Sequence, residues 1–104
     1  MFQRRLILGL ALALFANAAS AEDAVVKIDN FTFNPAAITV HIGTKVVWEN
    51  GDDIPHTVTE KDRGFKSPAL DTGDSFAFTF ASKGEFDYFC SLHPHMVGKV
   101  IVVD

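Results

Sequence analysis

Beyond residue 21 the chain offers only short runs of β-branched and aromatic residues, bounded by Gly, Pro, Asn or Asp, and no stretch with the 3.6-residue apolar period of a helix. Residues 25–28, 37–42 and 45–49 read as strands, the last two joined across Gly43 and Thr44 in a tight hairpin. Residues 56–59 start a further strand at His56. Phe76, Phe78 and Phe80 alternate with Ala77 and Thr79, which makes one face of that run apolar. Ser82-Lys83-Gly84 then turns the chain into a strand over 85–90, and residues 99–103 close it as another. Residues 62–74, with Gly64, Pro68 and Gly73, read as an irregular connection. About seven short strands at this spacing predict an all-β fold, a small Greek-key β-sandwich of two packed antiparallel sheets. Trp48 and the phenylalanines fill its interior.

The N-terminus has a different character. Arg4 and Arg5 precede an apolar run over residues 6–16 and the small-residue ending Asn17-Ala18-Ala19-Ser20-Ala21, the layout of a secretory signal over residues 1–21. That run falls well short of the roughly 20 residues a membrane-spanning helix needs, so export without stable membrane insertion is expected. Residues 22–104 are then one small domain, located in the periplasm. Removing Arg4 and Arg5 from the nine basic residues leaves seven against thirteen acidic ones, a net charge of about −6. Nucleic acid is excluded as a partner by that balance, whereas a basic patch on a redox protein fits it.

Exported proteins use cysteines in pairs, yet Cys90 is the only cysteine and cannot form an internal disulfide. Met96, the only methionine after Met1, lies six residues from it within Cys-Ser-Leu-His-Pro-His-Met. A thiolate, an imidazole at His93 and a thioether thus share one short segment, and His56 after Pro55 can add a second imidazole from upstream. Thiolate and thioether sulfur favour Cu(I), while imidazole suits both copper oxidation states, so the set matches a blue-copper electron-transfer site. Two His, one Cys and a weak axial Met leave no position for a substrate, which points away from catalysis.

Other readings use the same residues. Copper trafficking or sequestration would need uptake and release of the ion, and a carrier of that kind would add exposed Met or Cys. A zinc enzyme could use Cys90, His56 and His93 with water in the fourth position, but then Met96 has no purpose. His95 is an alternative donor to Met96. Taken singly, Met96 reads as core filler, His56 as a strand-edge residue and Asn50 as a turn residue. Asp52 and Asp53 read as solvated turn residues. No Ser/His/Asp arrangement, glycine-rich phosphate loop or His-Glu-x-x-His helix is present.

With Pro55-His56, Asn50 six residues before that His, Cys90-x-x-His93-Pro94-x-Met96 and Gly98-Lys99-Val100, the mature chain resembles the cupredoxins over nearly its whole length. It is nearest the amicyanin, pseudoazurin and plastocyanin group, with an amicyanin-like ligand loop. The resemblance implies that Cys90, His56 and His93 are equatorial ligands of one type 1 copper ion, that Met96 is axial, and that Asn50 braces the ligand loop by hydrogen bonding. It also implies an apolar contact patch of Ile54, Pro55, Leu92 and Pro94 around the exposed edge of His93. His95 replaces an apolar residue there. The expected protein is a monomer that shuttles single electrons from a donor dehydrogenase or cytochrome to an acceptor cytochrome or oxidase.

Overall fold

The computed structural model describes residues 22–104; the secretory-signal reading of residues 1–21 lies outside the described residues. Eight strands follow one another: β1 (Ala24–Asp29), β2 (Thr32–Asn34), β3 (Ala37–His41), β4 (Lys45–Asn50), β5 (Thr59–Glu60), β6 (Ser75–Thr79), β7 (Gly84–Cys90) and β8 (His93–Val103). They build two four-stranded sheets, β2-β1-β4-β6 and β3-β8-β7-β5, with no helix among the described residues. The all-β sandwich agrees with the period-2 pattern. One strand is additional: β2 is only three residues long, and its single buried residue, Phe33, gives too little alternation to announce it.

Two expectations are corrected by the pairing. The sheets are mixed, not purely antiparallel, because β1 runs parallel to β4 and β3 runs parallel to β8. And β3 and β4 do not form a hairpin: they belong to opposite sheets, and the Gly43-Thr44 turn carries the chain between them. Gly43 takes φ 92°, which suits glycine, and its N–H donates to Phe80 O at 2.7 Å while Phe80 N–H donates to Thr44 O at 3.0 Å. The end of the β6 segment thus captures the crossover.

Inward residues alternate along the strands, as the pleat requires. Val26 and Ile28 from β1, Val46 and Trp48 from β4, Tyr88 and Cys90 from β7, and Val100 and Val102 from β8 are all buried. The irregular 62–74 connection adds Phe65 and Leu70 to this core. Aromatic rings meet at its centre. Trp48 lies with ring centroids 5.4 Å from Tyr88, 5.7 Å from Phe65 and 5.9 Å from Phe76.

Gly98 is required by that packing. Tyr88 and Gly98 are cross-strand partners, and a Cβ at Gly98 would stand 2.3 Å from Tyr88 Cζ and 2.4 Å from its hydroxyl oxygen. The ring cannot retreat, since Trp48 and Phe33 press on it from 5.4 and 4.8 Å. Burial also pushes the phenol up to about 12, so the ring stays neutral there. Gly98→Ala is expected to lower unfolding stability by about 1–3 kcal/mol through overpacking. Urea denaturation of the metal-free chain measures it, and an unchanged midpoint would mean that Tyr88 has room to move.

Candidate metal centre

Three segments meet at one end of the sandwich. Cys90 ends β7, the two-residue turn Ser91-Leu92 follows, and β8 begins at His93 rather than at residue 99. The Cys90–Met96 segment is therefore a tight turn leading into a long strand, not a free loop. A register shift between Phe89 and Cys90 sets Cys90 opposite His93, which draws the two side chains together. His56 arrives from between the sheets. It is held by an isolated bridge to Leu70, with His56 N–H donating to Leu70 O at 3.1 Å and Leu70 N–H to His56 O at 2.7 Å, while regular strand is confined to Thr59–Glu60.

The potential donors converge on the thiol. Cys90 Sγ lies 3.7 Å from His56 Nδ1 and 3.5 Å from His93 Nδ1, and all three atoms fall within 4.8 Å of one another. Two donors each about 2.0–2.3 Å from a shared ion, the usual range for imidazole and thiolate on zinc, stand apart by such distances. The donor set therefore fits a metal ion. Cys90 and His56 are 0% exposed, and His93 is partly exposed. Met96 is buried on β8 at 6%, whereas His95 is exposed.

Side chains around the donors fix them. Thr57 N–H donates to Cys90 Sγ at 3.3 Å, and Thr57 Oγ1 accepts from Ser91 N–H at 2.7 Å and shares a hydrogen bond with Ser91 Oγ at 2.9 Å. The Thr57 N–H is aimed at the sulfur, the atom that would bind a metal. Asn50 is 2% exposed; its Nδ2 donates to Ile54 O at 3.0 Å and Leu70 O at 2.8 Å, and its Oδ1 accepts from Asp52 N–H at 2.9 Å. Its bonds thus fall on the segment leading to His56 and on Leu70, the bridge partner of His56, and not on the Cys90–Met96 turn.

Asp52 corrects the sequence reading. It is a buried partner of the site instead of a solvated turn residue: its Oδ2 lies 2.7 Å from His56 Nε2, and its carboxylate accepts from Asn30 N–H and Phe31 N–H, each at 3.0 Å. The Phe31 N–H first, then the His56 imidazole, hold its carboxyl below the ordinary carboxylate range. Phe31, between β1 and β2, was not singled out by sequence reasoning either. Its ring stands edge-on to His93 at 5.1 Å and to His56 at 5.6 Å. A tripeptide Asn30-Phe31-Thr32 after a strand could have been read as a turn, but nothing in it announces where the ring goes. Phe31 and Leu92 are 51% and 50% exposed, Pro55 and Pro94 are exposed as well, and Ile54 and His93 are partly exposed.

A cupredoxin-like domain family matches residues 4–102. The chain is 36% identical to amicyanin from Paracoccus versutus over 79% of its own length and 66% of that protein. It is 32% identical to amicyanin-alpha from Methylorubrum extorquens over 95% of its length and 98% of that protein. Among solved structures, a purple cupredoxin from Nitrosopumilus maritimus superposes with a TM-score of 0.75 at 35% identity, covering 78% of this chain and 100% of that one.

Proposed function

The chain belongs to the cupredoxin-like family, whose members are electron carriers and not enzymes, and from that premise we propose that residues 22–104 are a periplasmic type 1 copper protein. His56, Cys90, His93 and Met96 hold one copper ion, and the protein shuttles single electrons between redox proteins. The observation that carries this reading is the convergence of one buried thiol and two imidazole Nδ1 atoms at 3.5 and 3.7 Å, with a buried methionine three residues further on. When bound, copper supplies a one-electron couple between Cu(I) and Cu(II).

The chain's own residues do the rest. Both imidazoles present Nδ1 to the centre, Thr57 N–H holds the sulfur by a hydrogen bond, and the sandwich holds the donors in place so that little has to move when the charge changes. Burial excludes water from all but the His93 edge. That edge, with Phe31, Leu92, Pro55 and Pro94 around it, is the place where a donor dehydrogenase or cytochrome and an acceptor cytochrome or oxidase dock. Small apolar contacts suit such brief encounters. The protein works as a monomer. Export is supported by Arg4, Arg5 and the apolar run after them. Copper trafficking has less support, because Cys90 and Met96 are the sulfur donors among the described residues and both are buried.

The test is to load the mature chain with Cu(II) and record visible absorption and electron paramagnetic resonance. An intense thiolate-to-copper charge-transfer band with narrow hyperfine splitting is expected; a pale, ordinary Cu(II) spectrum would defeat the reading. In Met96→Ala the band should shift and the reduction potential fall. Loss of the soft thioether weakens the hold on Cu(I) roughly tenfold relative to Cu(II), about 59 mV for one electron. An unchanged spectrum and potential would remove Met96 from the ligand set.

A further inference from the structure

We propose that Asp52 is the positioning residue of the metal centre: its carboxylate orients His56 through Oδ2 and, with both oxygens, fastens the Asn30-Phe31 turn that lays Phe31 across both ligand imidazoles. The inference rests on the copper reading above and deepens it.

The geometry has two halves. On one side Asp52 Oδ2 lies 2.7 Å from His56 Nε2 inside the protein, where His56 has no exposure and the Asp52 side chain only 11%. An ionised carboxylate can only accept, so the proton sits on Nε2 and the Nδ1 lone pair is left facing Cys90 Sγ. A carboxylate behind a ligand imidazole sets its tautomer and ring orientation and makes it a stronger donor. Stronger donation favours Cu(II) over Cu(I).

On the other side the carboxylate meets a turn that would not hold by itself. Asn30 and Phe31 take φ 51° and 59°, and two successive non-glycine residues in the left-handed region, one of them bulky, persist only where the surroundings enforce them. Asp52 supplies that enforcement by accepting both N–H groups at 3.0 Å. Its own backbone is pinned in turn, its N–H by Asn50 Oδ1 and its carbonyl by the Thr72 hydroxyl. These bonds fix the backbone from which the carboxylate reaches both halves. Phe31 is held edge-on to His93 and His56, where its ring covers part of the imidazole surface from water.

The experiment uses the mature chain with and without copper. In the metal-free wild type, the nitrogen-bound proton of His56 should be found on Nε2 by nuclear magnetic resonance; an Nδ1–H tautomer there overturns the proposal without any variant. In metal-free Asp52→Asn, the Asn30 and Phe31 amides should exchange with solvent at least tenfold faster than in the wild type. In copper-loaded Asp52→Asn the charge-transfer band should remain, while the ratio of affinities shifts about tenfold toward Cu(I), a rise in potential of about 59 mV. Asp52→Glu, which keeps the charge, should lie closer to the wild type than Asp52→Asn does. A folded, coloured Asp52→Asn protein with unchanged potential and unchanged amide exchange overturns the role. Failure of the copper reading would show in the wild-type spectrum and leaves the tautomer and exchange measurements to decide on Asp52 alone.

Discussion

Cys90→Ser is expected to abolish the charge-transfer band and one-electron exchange altogether while leaving the chain folded. The thiol is the vertex shared by both imidazoles, at 3.5 and 3.7 Å, and a serine hydroxyl can neither ionise at neutral pH nor offer the soft donor that Cu(I) needs. The two imidazoles still take up Cu(II), as a pale complex with ordinary hyperfine splitting. Thr57 N–H, which donates to Cys90 Sγ in the wild type, finds an acceptor in the new hydroxyl. The replacement is nearly isosteric, so unfolding stability of the metal-free chain should change by no more than ~1–2 kcal/mol. Absorption, paramagnetic resonance and urea denaturation on the same sample separate the two effects. A Cys90→Ser protein that keeps an intense band would take the thiolate out of the site.

Trp48→Ala is expected to produce the largest loss of stability. The indole is fully buried and touches Phe65, Phe76 and Tyr88, so its removal opens a cavity that the rigid sheets on either side cannot close. Such a truncation costs about 3–5 kcal/mol. Trp48 Nε1 meets no hydrogen-bond partner among the described residues, and deleting an unsatisfied buried donor recovers part of that loss, which places the expected effect near the lower end, about 3 kcal/mol. Small domains have only about 5–10 kcal/mol to lose, so the metal-free variant should unfold at far lower urea concentration. Trp48 is the sole tryptophan, so circular dichroism must follow the transition. A loss below ~1 kcal/mol would mean that the core collapses into the space.

The part of the fold that was legible in the sequence is the part with a local cause. Val26, Ile28, Val46, Trp48, Val100 and Val102 fall on inward faces because strand side chains alternate, and that period can be read without knowing any partner strand. The Gly43-Thr44 turn shows where such reading stops. A glycine turn between two strands has the same chemistry whether the strands pair or part, and here Val40 pairs with Val102 on β8 while Val46 pairs with Phe78 on β6. Short β2 escaped for a related reason: its place is set by pairing with β1, Ile28 opposite Phe33, and not by its own three residues.

Residue chemistry also marked the candidate site. A lone cysteine, a methionine six residues after it and two histidines at these spacings are conspicuous as side-chain types, and their donor character does not depend on the fold. Asp52, Thr57 and Phe31 were not conspicuous. Gly-Asp-Asp is turn chemistry by every local rule, and what makes Asp52 part of the centre is the meeting of its carboxylate with two N–H groups from a turn more than twenty residues earlier and with a histidine four residues later.

The sequence by itself determined the strand pattern and the donor types, because pleat alternation and the softness of sulfur are properties of a residue and its near neighbours. Only the tertiary structure decided which sheet each strand joins, which nitrogen of His56 faces the thiol, and which buried carboxylate stands behind it. Those depend on where backbone groups from distant segments come to rest once the two sheets have closed over their core, and a buried polar group takes whatever partner that packing brings within reach.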